Sequence, residues 1–313
     1  MTGPFRIDVH LHILPTFYMD AVSGAGITRS RGKAYPDWSE DLSLRMMDQC
    51  GIRVGITSIS TPHVHFGDNR KARDLARRCN EFAVDLQRRR PDRFGTFAVL
   101  PLPDVEGACK EAVFALDEMR ADGVTVLASY GEEFFGDAKF DPLFELLNTR
   151  KAVVFVHPTQ HPESKKLPLD LPLFVAEYPL NTTRCALNLM TKRVLERYPS
   201  IEFVLAHAGG VLPFLAWRLA IPRVPPVWES DVYGKLKRFW YDIALAAGKA
   251  CLSCVKEVAG SQQIVFGTDW PYTSDTTAQW TVRDSMAAGL FTPLEQDGMN
   301  RANALRLFPR LAK

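Results

Sequence analysis

Two histidines sit two residues apart in the run Ile7-Asp-Val-His-Leu-His12, close to the start of the chain. In an extended strand residues i and i+2 face the same side, so His10 and His12 project together, about 7 Å apart along the strand. Such a pair is half of a metal site, or equally a hydrogen-bonded polar pair in a core, and the spacing alone does not choose. Three further candidate ligands end apolar runs later in the chain: His157 in Phe-Val-His-Pro, His207 in Leu-Ala-His-Ala-Gly-Gly, and Asp269 in Gly-Thr-Asp-Trp-Pro. If those ends meet, three neutral imidazoles and one carboxylate suit a single divalent ion of the zinc or manganese type. His207 is then left for chemistry such as proton transfer.

The elements that must bring these residues together are legible as alternating patterns. Residues 5–12, 54–60, 94–100, 123–128, 152–157, 201–207, 239–246 and 263–269 are short runs rich in Val, Ile, Leu and Phe. Near-continuous apolar runs are expected of strands covered on both faces. Between them lie helical patterns near 68–90, 104–120, 181–198, 210–220, 247–259 and 276–288. Ser39 is placed to cap a helix carrying Leu42, Met46 and Met47, Asp141 to cap one with Pro142 in its first turn, and Thr292-Pro-Leu-Glu295 reads as a capping box. The alternation predicts one α/β domain over 1–313, a (β/α)8 TIM barrel with insertions after strands one (13–38) and five (158–178). A barrel opens all its strand ends on one mouth, so the five groups converge there, beneath insertions expected to act as a lid. The Pro-rich run 221–227 predicts a rigid connection or a subunit contact.

Composition narrows the partners. With 38 basic against 36 acidic residues and a net charge of +2, the chain lacks the electrostatic footprint of a nucleic-acid binder. A mean hydropathy of -0.10 and the lack of any apolar run long enough to span a bilayer predict no membrane insertion and a cytoplasmic location. The six cysteines fall mostly in helical patterns, which predicts buried, reduced thiols; Cys251 and Cys254 have metal spacing but no second pair to complete a tetrahedral site.

Asp8-Val-His10-Leu-His12, His157, His207 followed by Ala-Gly-Gly, and Phe-Gly-Thr-Asp269-Trp-Pro together resemble the amidohydrolase superfamily. More narrowly they resemble its decarboxylase branch, which includes aminocarboxymuconate semialdehyde, γ-resorcylate and 6-methylsalicylate decarboxylases; Phe-Trp-Tyr-Asp242-Ile-Ala-Leu-Ala is closest to the last. The resemblance spans nearly the whole chain and implies one divalent ion, zinc first and manganese as the alternative, on His10, His12, His157 and Asp269. From Gly123 through strand four there is no lysine, and no glutamate until Glu132, so the bridging group of a two-metal hydrolase is missing. His-Ala-Gly-Gly also lacks the glutamate of γ-resorcylate decarboxylases. The implied reaction is non-oxidative decarboxylation of a small aromatic carboxylic acid of the salicylate type, best matched by 6-methylsalicylate going to 3-methylphenol, in a homodimer. Asp269 is the favoured acid and His207 the alternative.

Six further residues are candidates for holding substrate. His63 and His65 repeat the two-residue spacing but lack a partner carboxylate for a second ion, which leaves them as pocket lining. Arg184 either meets the substrate carboxylate or lies on a helix surface; Trp270 and Tyr272 wall an aromatic pocket or pack in the core; Phe17 belongs to the apolar lid. Asp8 and Asp242 suit supporting roles behind the histidines. Two rival readings keep the fold: a mononuclear hydrolase of a lactone or amide, and an inactive barrel serving as a binding module.

Overall fold

A computed structural model describes residues 5–29, 34–166, 168–221, 231–287 and 289–312. All eight expected strands are present: β1 (Arg6–His12), β2 (Ile52–Ser58), β3 (Phe94–Val99), β4 (Gly123–Leu127), β5 (Val153–His157), β6 (Glu202–Leu205), β7 (Phe239–Asp242) and β8 (Ile264–Val265). They pair in parallel in sequence order. The regular part of β8 is only two residues, yet the chain beyond it closes the barrel: the Val9 N–H donates to the Phe266 carbonyl at 2.9 Å, Asp269 N–H to His10 O at 2.8 Å, and His12 N–H to Trp270 O at 2.8 Å. Strands one and eight are thus stitched at the level of the candidate ligands, which fixes the height of Asp269 relative to His10 and His12.

The interior is plugged by aromatic rings. Phe97 and Phe155 stack with centroids 5.4 Å apart, Phe308 from the end of the chain packs on Phe97 at 5.7 Å, and Phe155 meets the His10 ring at 4.8 Å. Filling a barrel with side chains is what leaves its functional groups at the mouth. Nearly every strand residue is buried, as the continuous apolar runs require.

Local signals hold at several helix starts. Ser39 accepts the Leu42 N–H at the head of helix Glu40–Gln49, and Asp68 accepts that of Lys71 at the head of Asn69–Arg89. Thr292 and Glu295 form the full capping box. Asp141, by contrast, is the first residue of helix Asp141–Thr149 and caps nothing; Phe140 occupies the cap position, and a preceding 3-10 turn carries the chain into the helix. The helix expected over 181–198 is two, Glu177–Thr191 and Val194–Arg197, broken where Arg193 turns left-handed. The one expected over 210–220 shrinks to a 3-10 turn and Ala216–Leu219, because Gly209 and Gly210 both adopt positive φ at its start. Residues 222–227 of the Pro-rich run lie outside the described residues.

Both insertions leave the expected strand ends. In 13–38 the helix Thr16–Gly24 is tied to the mouth by the Tyr18 hydroxyl, which donates to the His63 carbonyl at 3.1 Å. All six cysteines are free; Cys50, Cys79 and Cys185 are buried as expected, but Cys251 is exposed and Cys109 and Cys254 only half-buried. Among the described residues no helix is long and apolar enough to cross a membrane.

Candidate metal centre

His10, His12, His157 and Asp269 each offer a ligand atom, and the four atoms lie within 4.8 Å of one another, all in fully buried side chains. His10 and His12 rise from one face of β1, His157 ends β5, and Asp269 follows β8. Gly267 makes the last approach possible: a Cβ there would stand 2.9 Å from the Cβ of His10 and 3.2 Å from that of Asp242. Asp269 itself is held at φ 61°, a left-handed conformation uncommon for a residue with a side chain.

The partners behind each ring fix which nitrogen faces the cluster. His10 Nδ1 donates to Asp242 Oδ2 at 2.7 Å, and His157 Nδ1 to the Pro158 carbonyl at 2.8 Å; neither oxygen can donate in return. The Ser58 hydroxyl donates to Leu11 O, so it accepts from His12 Nδ1 at 2.9 Å. Each ring therefore turns an Nε2 lone pair inward. The consequence is a contact that neutral rings cannot sustain: His10 Nε2 lies 3.0 Å from His12 Nε2 with no hydrogen between them, and both face Asp269 Oδ1, at 3.4 and 3.2 Å. Lone pairs crowded so closely call for a positive charge among them. The same demand acts on protons: burial disfavours a charged His10, but the Asp242 and Asp269 carboxylates outweigh it and lift its pKa to about 10. His157 moves the other way, pushed far down by burial and by the charge on His12 and His10. Donor set, tautomers and charge all fit one divalent cation.

Asp242 is the hub of the second layer. Besides gripping His10, its Oδ1 accepts the His207 and Ala244 N–H groups, each at 2.9 Å. His207 follows β6 at φ 56°, its Nδ1 donating to the Ala244 carbonyl at 2.9 Å, so its buried Nε2 is also a lone pair, and that atom has no hydrogen-bond partner among the described residues. Burial, then the His10 charge, lower its pKa, which keeps the ring neutral. Its ring centroid stands 4.9 Å from that of His10 and 6.0 Å from that of His157, beside the cluster rather than within the four-ligand set. Asp8 also supports: it accepts from the Thr268 hydroxyl at 2.6 Å and the His10 N–H at 2.9 Å, and burial pushes its carboxyl up to about 6.

The substrate-holding candidates divide. His63 is buried and, with His65, lines a cavity of about 340 Å³ beside the centre. Tyr272 sets its ring edge against His12, centroids 5.3 Å apart. The other three are placed elsewhere. Arg184 is exposed on helix Glu177–Thr191 and does not line the cavity, because its neighbours Thr183 and Cys185 take the buried positions of that turn. Phe17 turns outward onto Phe82, at 6.0 Å, and under the Arg78 guanidinium, at 4.5 Å. Trp270 is core, its indole N–H donating to Asp275 at 2.9 Å. Ser58 and Ser60, which touch His12 and His157 from the end of β2, were not anticipated. Their own two-residue spacing in Thr-Ser-Ile-Ser was the available signal.

The amidohydrolase family profile matches residues 7–310. The chain belongs to the amidohydrolase family. This amidohydrolase is 33% identical over 316 residues to the 6-methylsalicylic acid decarboxylase of Penicillium expansum, with 98% of this chain and 97% of that one covered. A crystal structure of an amidohydrolase II superimposes with a TM-score of 0.92 at 30% identity, covering 97% of this chain and 99% of that one. A dihydroxybenzoic acid decarboxylase from Polaromonas, solved with manganese and the inhibitor 2-nitroresorcinol, shares the fold with a TM-score of 0.81 at 24% identity, covering 100% and 98%. The fold is the (β/α)8 barrel of these structures, and decarboxylases predominate among the named relatives.

Proposed function

We propose that this amidohydrolase is a metal-dependent, non-oxidative decarboxylase of an ortho-hydroxybenzoate, with 6-methylsalicylate the first choice and 3-methylphenol and carbon dioxide the products. The observation that carries the proposal is the convergence of inward lone pairs, His10 and His12 Nε2 only 3.0 Å apart, in a chain alike over its whole length to a 6-methylsalicylic acid decarboxylase. His10, His12, His157 and Asp269 would hold the ion, zinc first and manganese as the alternative. When bound, it supplies positive charge to the carboxylate and the neighbouring phenol oxygen and so orients the ring.

The chain's own groups do the rest. Direct loss of carbon dioxide would leave an unstabilised aryl carbanion, so the ring carbon bearing the carboxylate is protonated first, where the ortho hydroxyl makes it electron-rich. His207 has its Nδ1 proton engaged by Ala244, which leaves Nε2 as an acceptor suited to holding a water that in turn donates to the substrate's carboxylate. In this proposal the proton donor is Asp269. On binding, the phenol hydroxyl gives its proton to the Asp269 carboxylate. That proton then forms the new C–H bond, the C–C bond breaks with its electron pair returning to the ring, and the product phenolate takes a proton from water, leaving Asp269 a carboxylate. Tyr272 and His63 would bound the space for the ring. A homodimer and a cytoplasmic setting complete the proposal; Phe214 and Trp217, 76% and 74% exposed, are apolar surface that a second copy would cover.

The test is incubation of metal-replete and chelator-stripped protein with 6-methylsalicylate, with products identified by chromatography. Metal-dependent 3-methylphenol is the expected result. Opening of a lactone from a parallel panel, with the salicylate untouched, would overturn the reaction class.

A further inference from the structure

The cavity of about 340 Å³ beside the centre falls within the range of small-molecule sites, at its lower end. Its wall mixes apolar residues, among them Pro62, Leu102, Pro103 and Leu127, with polar ones. The buried polar groups among its lining are nearly all engaged. Ser129 accepts from Asn181 at 3.0 Å, the Tyr130 hydroxyl accepts from the Leu127 N–H at 2.8 Å, and the Thr159 hydroxyl pairs with that of Thr61 at 2.9 Å.

His63 is the exception. It is 1% exposed, and neither Nδ1 nor Nε2 has a hydrogen-bond partner among the described residues. Leaving both nitrogens of a buried imidazole unmade is costly, and buried polar groups without partners are few in folded proteins. The backbone is committed to the position as well: His63 sits at φ 59°, with its carbonyl held by Tyr18. An imidazole presents one donor and one acceptor, and a hydroxyl group can complement whichever of its nitrogens it meets. The cavity gives no reason to expect a second acid group. Among its described lining residues Lys139 is the one lysine or arginine, and it is paired with Glu133.

We propose that His63 is a specificity-determining residue that binds an uncharged hydroxyl on the part of the substrate ring away from its carboxylate. This rests on the decarboxylase reading, in which the carboxylate and ortho oxygen are engaged at the metal centre and the remaining ring edge faces the cavity. The substrate class becomes an ortho-hydroxybenzoate carrying one more hydroxyl, with room for a methyl group against the prolines and leucines.

The experiment compares kcat/KM for 6-methylsalicylate with that for its derivatives bearing one added hydroxyl at ring position 3, 4 or 5. It uses wild type, His63→Gly and His63→Asn. Glycine removes the imidazole and asparagine keeps a donor and an acceptor, and both tolerate a positive φ, so neither strains the turn. The wild type is expected to prefer at least one hydroxylated derivative. His63→Gly should reduce that preference about 10-fold to 100-fold, the effect of one lost buried hydrogen bond, and His63→Asn should restore most of it. A preference unchanged in His63→Gly, or no preference in wild type, overturns the proposal. Equilibrium binding of 3-methylphenol and 5-methylresorcinol to the same three proteins gives the answer without turnover. If no acid loses carbon dioxide, the decarboxylase reading fails, while a binding preference for the diol that is lost in His63→Gly still upholds the role of His63.

Discussion

At the scale of single residues, the centre depends on atoms that never touch substrate. Asp242 holds His10 through Nδ1 and the His207 backbone through its N–H, so one side chain sets the tautomer of a ligand and the position of an orienting group. Asp242→Asn should weaken metal affinity about 10-fold to 100-fold, read by competition with a chromophoric chelator; unchanged affinity would show that His10 is positioned without it. His207 has a different expected signature. His207→Asn should keep the ion, because His207 lies outside the four-ligand set, and lose about 10²-fold in turnover through misplacement of the substrate. A variant with more than about a tenth of the wild-type rate would remove His207 from the chemistry.

At the scale of elements, the question is what brings strand ends to the right height. Gly267 lets the chain after β8 lie against the roots of His10 and Asp242, which are rigid Cβ atoms and not flexible tips. Gly267→Ala should therefore shift β1 against β8 and cost metal binding by at least about 10-fold, with far-ultraviolet circular dichroism unchanged. Full metal affinity in a folded variant would contradict that account. Far from the mouth, the capping box at Thr292 shows an element secured locally. Thr292→Ala should lower stability by about 1 kcal/mol, measured by denaturant unfolding. The Lys256 ammonium and the Thr292 N–H draw the Glu295 carboxyl down to about 2. A depressed carboxylate contributes stability above its unfolded pKa and loses it as pH falls through the folded one. The stability gap between wild type and Glu295→Gln should thus be full near neutrality and close as pH falls from the usual glutamate range towards 2.

At the scale of the whole molecule, the four candidate ligands come from the start, middle and end of the chain, on β1, β5 and the segment after β8, so binding an ion there would be one event with closing the barrel. A cation that binds only the closed state stabilises it by mass action. Chelation should lower the melting temperature, and zinc or manganese should restore it in a concentration-dependent way. The cation giving the larger shift together with turnover is the physiological candidate. An unchanged melting temperature would mean that the ligands are not gathered around an ion. Phe214→Ser with Trp217→Ser should shift a dimer towards monomer in light scattering if these exposed rings meet a second copy.

The sequence by itself determined the barrel and singled out its candidate ligands, because both rest on short-range regularities. Eight continuous apolar runs mark strands buried on both faces, and the two-residue spacing in β1 sets His10 and His12 on one side. The ends of β5 and β8 could then be matched to them once all strands were known to open on one mouth. The helix end near Gly209 was not legible, since the left-handed turn there answers to tertiary crowding: a Cβ on Gly210 would collide with the Pro179 carbonyl. Only the tertiary structure decided which candidates face the centre. Arg184, Phe17 and Trp270 carry suitable side chains, but their directions follow from the packing of neighbouring elements, which turns one to solvent, one onto a helix and one into the core. His63 shows the converse. Its residue type hinted at a role, whereas the lack of a partner for both its nitrogens exists only where β2, the lid and the cavity wall come together.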